Sequence, residues 1–186
     1  MCTVENSMFN VLLVAPNFIE KWNKLELACK ENLSINALAA YLLGRGYNVV
    51  TINAQFENWD NERVLEEVKD VEFDFIGVSC SPQKLYLSSK DFIKKARKRY
   101  PTSCITIGGV FPSLSYEDIL NDLPEVDFVS TGEGELALEL ICHYLQCKID
   151  NLMQIPGLAY RSNGKININP SKRIENLDSL PFPIRD

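Results

Sequence analysis

The strongest constraint on the fold is an alternation along the chain between short apolar, β-branched runs and longer segments with helical periodicity. The strand-like runs cover residues 9–15, 47–52, 73–79, 104–107 and 126–130. The segments between them predict helices over residues 35–43, 61–71, 85–99, 116–120 and 135–146. Strands joined by helices of this length pair in parallel through right-handed crossovers. The sequence therefore predicts an α/β fold with a doubly wound, five-stranded parallel sheet.

The last part of the chain has a different pattern, and we expect residues 151–186 to extend from a main domain of residues 1–150. Apolar alternation over 158–161 and 165–169 flanks Ser162-Asn163-Gly164, which is a strong signal for a β-hairpin. A two-stranded hairpin is only marginally stable by itself, so it should pack on the main domain or on a further one. Pro170, Pro181 and Pro183 favour an extended connector after it.

Composition excludes several classes of partner. The 186 residues carry a formal net charge of −6 and no long run of Lys or Arg, which weighs against a nucleic-acid or anionic membrane surface. No apolar stretch approaches the roughly 18 residues that span a bilayer, and the first residues lack a signal-peptide core. The six cysteines include no CxxC or CxxxCxxC motif. We therefore expect a chain of the reducing cytoplasm, with no metal site and no catalytic residue of its own.

The fourth predicted strand ends on two adjacent glycines, Gly108 and Gly109. One interpretation is a tight strand-to-helix turn that needs a positive φ. The other is a stretch of bare backbone against which a bulky ligand lies. Ligands of doubly wound sheets bind beyond the carboxyl ends of the strands. The loops at that edge are the one from Asn17 onward, residues 79–82, the glycine pair, and residues 131–135.

These loops do not match three familiar sites. A receiver domain needs an acidic pair after the first strand and an Asp after the third, where this chain has Ala15-Pro16-Asn17 and Ser79-Cys80-Ser81. A flavodoxin-type phosphate cradle needs Gly, Ser or Thr after the first strand, and residues 17–32 contain none of these. Residues 132–137 fit the dinucleotide pattern GxGxxA, but they follow strand five and carry two carboxylates. We interpret them as a helix start in which Glu135 favours the helix dipole.

Taken together, these segments resemble the cobalamin-binding domain at the N-terminus of cobalamin-dependent radical S-adenosylmethionine enzymes, which has a flavodoxin-like, Rossmann-like fold. The resemblance rests on residues 36–42, 46–49, 74–79, 107–112 and 127–135, and on 155–161 and 177–186 in the tail. It implies a corrinoid across the carboxyl edge of the sheet with its nucleotide tail buried between strands. The residues that it implies for cobalamin are Asn17, Ser79, Ser81, Gly108, Gly109, Thr131, Gly132 and Glu133.

The resemblance also bears on the group beneath cobalt. Many corrinoid domains carry DxHxxG after the first strand, whereas this chain has one histidine, His143, which we expect to be structural. The candidates for the lower face are Glu20, Lys21, Trp22, Asn23 and Ser34. Without a strong nitrogen ligand the cobalt should donate a methyl group more readily, so methyl transfer is the predicted use.

The chain alone should bind corrinoid and catalyse nothing. The family implies a parent chain whose C-terminal radical domain, with a [4Fe-4S] cluster and S-adenosylmethionine, methylates an unreactive carbon or phosphorus centre, or less often rearranges or cyclises its substrate. A second hypothesis is a non-catalytic doubly wound domain for another small ligand or a protein partner. Under the first hypothesis, Gly109→Leu should abolish corrinoid binding and leave the circular dichroism unchanged, and His143→Ala should not alter the bound spectrum.

Overall fold

The computed structural model describes residues 8–18 and 32–185, which form a single sheet with helices on both of its faces. The strands are β1 (Asn10–Ala15), β2 (Asn48–Asn53), β3 (Phe75–Ser79), β4 (Cys104–Gly108), β5 (Phe128–Ser130), β6 (Leu158–Ser162) and β7 (Lys165–Ile168). The helices are α1 (Leu33–Leu43), α2 (Ala54–Glu57), α3 (Asn61–Glu67), α4 (Tyr86–Arg99), α5 (Val110–Leu114), α6 (Tyr116–Asp122) and α7 (Gly134–Leu145).

The sheet has the order β2-β1-β3-β4-β5-β6-β7. The first five of these strands are parallel, in the 2-1-3-4-5 order of flavodoxin-like folds, so the predicted doubly wound parallel sheet is confirmed. The predicted hairpin also forms. Its strand β6 pairs antiparallel with β5, and β7 pairs antiparallel with β6, so the hairpin extends the sheet.

Side-chain caps define where several helices begin. Asn32 accepts a hydrogen bond from the backbone N–H of Ile35 at the start of α1, and Asp60 accepts one from Arg63 at the start of α3. Two short helices, α2 and α5, lie in segments for which the sequence predicts no helix. The predicted helix over residues 61–71 ends at Glu67, because Val68 already leaves the helical conformation. None of the helices in the described part of the chain is long and apolar enough to cross a membrane.

The two faces of the sheet differ in how they are filled. The face under α3 and α4 is a continuous apolar core in which alternate strand residues, such as Ile76, Ile105 and Ile107, are fully buried beneath Phe92 and Ile93. The face under α1 and α7 starts in the same way, with Phe75, Cys104 and Phe128 in an apolar cluster. Further along the strands it carries small residues, namely Gly77, Ser79, Thr106, Gly108 and Ser130.

An arginine of the hairpin fixes the loop between α6 and β5. The Arg161 guanidinium donates hydrogen bonds to the carbonyl oxygens of Leu120, Leu123 and Val126, at 2.7 Å for Val126. A lysine ammonium cannot reach the three carbonyls with one planar fork. We expect Arg161→Lys to lower the free energy of unfolding by about 2 kcal/mol, measured by urea denaturation.

The matched control is Arg63→Lys, because Arg63 forms an exposed helical ion pair with Glu67. Exposed pairs of this spacing contribute about 0.3–0.5 kcal/mol, so this variant should unfold close to the parent midpoint. Equal losses for the two variants would contradict the role given to Arg161.

Candidate functional site

A cleft with a volume of about 510 Å³ opens at the carboxyl edge of the sheet, on the face covered by α1 and α7. Its floor is formed by β1, β3, β4 and β5, and it includes the point between β1 and β3 where the strand order reverses. One wall is α1, with Ile35 and Leu38, and the other is α7, with Leu138. The lining is predominantly apolar, which is typical of a site for an organic ligand.

The cleft exists because the strands lose side-chain volume toward their carboxyl ends. In the register of the sheet, Phe75 lies opposite Cys104, whereas one level further Gly77 lies opposite Thr106. At the last level Gly108 is flanked by Ser79 on one side and Ser130 on the other. The helices α1 and α7 still meet beside the cleft, because a Cβ on Gly134 would lie only 2.9 Å from the Leu38 side chain. The space left beneath them is therefore a slot between the two helices and the sheet.

The two adjacent glycines serve different purposes. Gly109 has a φ of 122°, and a Cβ placed on it would lie 2.8 Å from the carbonyl carbon and oxygen of Cys80. The turn interpretation therefore applies to Gly109, where the loops after β3 and β4 approach each other closely. Among the described residues, a Cβ on Gly108 would meet only Ser130, at 3.4 Å from its carbonyl oxygen and 3.6 Å from its Cβ. Gly108 is therefore the glycine that leaves space in the slot.

This difference corrects the expectation for Gly109→Leu. Any side chain at Gly109 collides with the Cys80 backbone in a conformation that L-residues rarely adopt. The variant should therefore disturb the fold and not leave its circular dichroism unchanged.

Two buried hydroxyl groups lie in the floor of the slot without a partner. Thr106 Oγ1 and Ser130 Oγ are inaccessible to solvent and have no hydrogen-bond partner among the described residues. Burial raises the pKa of the neighbouring Cys104 thiol well above its ordinary value, and contact with the Thr106 hydroxyl opposes that rise. A neutral thiol is a weak acceptor, so it leaves the Thr106 hydroxyl largely unsatisfied. Because an unpaired buried hydroxyl costs about 1–3 kcal/mol, these two groups point to a ligand with polar atoms.

Backbone contacts tie the loops at the mouth of the cleft to one another. The Cys80 N–H donates to the Gly108 carbonyl at 2.8 Å, and the Phe111 N–H donates to the Ser81 carbonyl at 3.2 Å. Ser113 extends the set, because its hydroxyl donates to the Gly109 carbonyl and accepts from the Gly132 N–H. The mouth is thus held in a defined shape by groups that also line it.

The described residues that line the mouth carry negative charge. Glu133 and Glu135 line the cleft, and no lysine or arginine is found among its described lining residues. The Glu133 carboxylate accepts a hydrogen bond from the backbone N–H of Ile174 at 2.5 Å, and Glu135 lies in the first turn of α7. These two carboxylates would repel several phosphate groups, which weighs against nucleoside triphosphates and dinucleotides as occupants.

Most of the residues implied by the resemblance meet at this cleft. Ser79, Ser81, Gly108, Gly109, Gly132 and Glu133 line it, together with the lower-face candidate Ser34. Asn17 and Thr131 are not among its lining residues. The Thr131 hydroxyl is committed to the Gly157 carbonyl at 2.8 Å, and Asn17 accepts from the Phe18 N–H. Glu20, Lys21, Trp22 and Asn23 lie outside the described residues, and His143 lies on α7 away from the cleft.

Sequence reasoning did not find Thr106 and Ser130. A signal was nevertheless present, because Thr106 interrupts the apolar run of β4 and lies two residues before Gly108. Residues two apart in a strand point to the same face, so Thr106 shares a face with the glycine that opens the slot. Ser130 holds the corresponding position at the end of β5, opposite Gly108 in the register.

Comparisons with known proteins agree with this geometry. Residues 28–141, more than half of the chain, match the family described as B12 binding domain. The anaerobic magnesium-protoporphyrin IX monomethyl ester cyclase of Synechocystis sp. is 29% identical over 149 residues, which are 78% of this chain and 30% of the cyclase.

Two solved structures share the fold. The cobalamin-dependent S-adenosylmethionine radical enzyme OxsB with aqua-cobalamin bound superposes with a TM-score of 0.79 at 24% identity, over 95% of this chain and 24% of OxsB. The radical S-adenosylmethionine methyltransferase TsrM from Kitasatospora setae, with cobalamin and a [4Fe-4S] cluster bound, gives a TM-score of 0.73 at 18% identity, over 88% of this chain and 31% of TsrM.

The chain thus spans about a third or less of the length of each of these proteins. The family match covers most of the elements that build the cleft, from α1 to α7, and it agrees with the cofactor that the sequence predicts. The chain belongs to the B12-binding domain family.

Proposed function

We propose that the chain binds cobalamin with the nucleotide arm of the cofactor in the slot between α1, α7 and the sheet. The observation that carries this proposal is the combination, in one cleft, of a side-chain-free position at Gly108 with the unpartnered hydroxyls of Thr106 and Ser130. A flat heteroaromatic base fits an apolar slot, and its ring nitrogen accepts a hydrogen bond from a hydroxyl. The family assignment supplies the same cofactor independently.

The mouth residues are proposed to support the corrin ring. Val110 and Leu114, on α5, line the cleft and remain 65% and 81% exposed, which is unusual for large apolar side chains. Ser79, Ser81 and Gly132 surround the opening and offer hydroxyl and backbone groups to the amide side chains of the ring. Apolar contact from α5 and polar contact from the loops would together fix the ring over the slot.

For the group beneath cobalt, Ser34 is the described candidate that lines the cleft, while His143 on α7 does not. We propose that no histidine of this chain ligates the cobalt. When bound, cobalamin supplies a cobalt centre that carries and donates a methyl group, and the lack of a strong lower ligand favours that donation. The proposed role of the chain is therefore to hold cobalamin for methyl transfer in a longer protein with a radical S-adenosylmethionine domain.

The binding proposal predicts opposite effects on stability and affinity when the two hydroxyls are removed. Thr106→Val and Ser130→Ala delete hydroxyl groups that have no hydrogen-bond partner within residues 8–18 and 32–185 of the cofactor-free domain. Each variant should unfold at the same or a slightly higher temperature, with a gain of up to about 1 kcal/mol. Each should also release hydroxocobalamin about tenfold more readily, because a hydrogen bond to the cofactor is lost. Visible absorbance retained after desalting measures the affinity, and calorimetry measures the stability.

Ser115→Ala is a control, because Ser115 lies between α5 and α6 and is not a cleft residue. It should bind as the parent does. Absence of retained corrinoid absorbance in the parent would overturn the proposal in favour of a domain for another ligand or a protein partner. Unchanged retention in both hydroxyl variants would show that the arm does not lie on the slot floor.

The methyl-transfer role is tested in the full-length protein. With hydroxocobalamin, a reductant and S-adenosylmethionine labelled in its methyl group, we expect label on the protein-bound corrinoid and then on a product. Formation of 5′-deoxyadenosine without labelled product would instead support a rearrangement or a cyclisation, and the Synechocystis relative is named a cyclase.

A further inference from the structure

The segment after the hairpin is anchored to both walls of the cleft. Residues 170–185, which we name the strap, leave β7 at Pro170, whose carbonyl accepts from the Gly157 N–H at 3.1 Å. The strap then passes Gly132, where Ser171 approaches closely, and its Ile174 N–H donates to Glu133 at the start of α7. It ends on α1, where the Ile184 N–H donates to the Asn36 carbonyl at 3.4 Å.

The apolar residues of the strap reinforce these anchors. Leu180 and Ile184 are partly buried against the apolar cluster beneath α1 and α7, whereas Leu177 and Phe182 point to solvent. The strap is therefore attached along the side of the molecule that carries α1 and α7. Its attachments lie next to the contact between Gly134 and Leu38, where the two walls of the cleft meet.

We propose that the strap is a latch on the cleft and that Glu133 is its positioning residue. The inference rests on cobalamin being the occupant. A bulky nucleotide arm between α1 and α7 leaves most easily when the two helices separate. The strap connects the two helices through the Glu133–Ile174 and Asn36–Ile184 hydrogen bonds, so it opposes that separation. Glu133 thus acts on cofactor release by holding the backbone of the strap, and not by bonding to the cofactor itself.

The latch is tested without cofactor by limited proteolysis. Lys172 and Arg173 are exposed residues of the strap, and trypsin cleaves after both of them. Glu133→Ala should be cut at these two positions about tenfold faster than the parent, the factor expected from loss of a charge-assisted hydrogen bond. Glu133→Gln keeps an oxygen that accepts the Ile174 N–H, and it should restore the parent rate. Fragment masses identify the cleavage positions.

The same variants are then loaded with hydroxocobalamin, and the retained visible absorbance is followed through repeated dilution and filtration. The loaded parent should be cut in the strap more slowly than the free parent. Glu133→Ala should lose corrinoid about tenfold faster, and Glu133→Gln should not. A merely structural role for Glu133 would change the cleavage rate without changing the rate of release.

The outcomes separate the two proposals. Unchanged cleavage of Glu133→Ala overturns the latch, whatever the cofactor does. Faster cleavage with parent-like release overturns the coupling and leaves cobalamin binding intact. A parent that retains no corrinoid overturns the proposed function and the coupling with it, while the cleavage rates of the free protein still report on the strap.

Discussion

Gly108→Leu should abolish cobalamin retention in a protein that still folds. Gly108 has ordinary backbone geometry, and a Cβ at this position meets Ser130 only at normal contact distances, so an isobutyl group would extend into the slot. We expect affinity to fall at least about a hundredfold, since the nucleotide arm and the new side chain would need the same space. The measurements are retained hydroxocobalamin absorbance and the thermal midpoint of the free protein.

Gly109→Leu is the matched control, because it adds the same side chain one residue later. There the backbone φ of 122° and the 2.8 Å approach to Cys80 should make the variant unfold at a markedly lower temperature. Parent-like retention by a folded Gly108→Leu protein would show that the arm lies elsewhere. A parent-like melting temperature for Gly109→Leu would contradict the close approach of the two loops.

Gly157→Ala should be the most destabilising single-methyl change in the hairpin region. Gly157 has a φ of 65°, and an added Cβ would lie 2.2 Å from the carbonyl oxygen of Thr131. The same residue joins β5 to the hairpin, because its carbonyl accepts from both the backbone N–H and the hydroxyl of Thr131 at 2.8 Å. We expect the free energy of unfolding to fall by about 3–5 kcal/mol, from backbone strain together with overpacking.

Gly164→Ala isolates the steric part of that loss. Gly164, in the hairpin turn, has a similar φ of 72°, but no described residue lies within 4 Å of an added Cβ. This variant carries the strain alone, so it should lose only about 1–2 kcal/mol in the same urea titration. If the two variants lost equal amounts, the contact between Gly157 and Thr131 would not be the cause.

Local sequence signals were sufficient to predict the parallel strands of the sheet. Runs of β-branched residues, and the glycines or prolines that end them, are properties of a few consecutive residues. They located the strands β1 to β5 within about two residues of their observed ends. The short helices α2 and α5 were not predicted. Asn53 caps α2 by accepting from the Phe56 N–H, and Pro112 occupies the first turn of α5, where a proline is tolerated. Both signals are weak in segments of four or five residues.

The cleft depends on relations that a single sequence does not reveal. The sequence marks Gly108 and Gly109 as unusual, but their different roles follow from the position of Cys80 in the loop after β3, about thirty residues earlier. Thr131 is one of the residues that the family resemblance implies for cobalamin. In the structure its hydroxyl donates to the Gly157 carbonyl, and that contact arises because the hairpin adds to the sheet beside β5. The pairing of the hairpin was the part of the topology that local pattern could not predict.

The two faces of the sheet are filled differently. Substitutions within one strand should therefore affect either folding or cofactor binding, depending on the face to which the side chain points. In β4, Ile105 and Ile107 point into the continuous apolar core, while Thr106 and Gly108 point toward the slot. In a saturation mutational scan of residues 105–108, substitutions at Ile105 and Ile107 should therefore prevent the protein from accumulating in folded form. Substitutions at Thr106 and Gly108 should instead yield abundant protein that stays colourless when the vitamin is supplied.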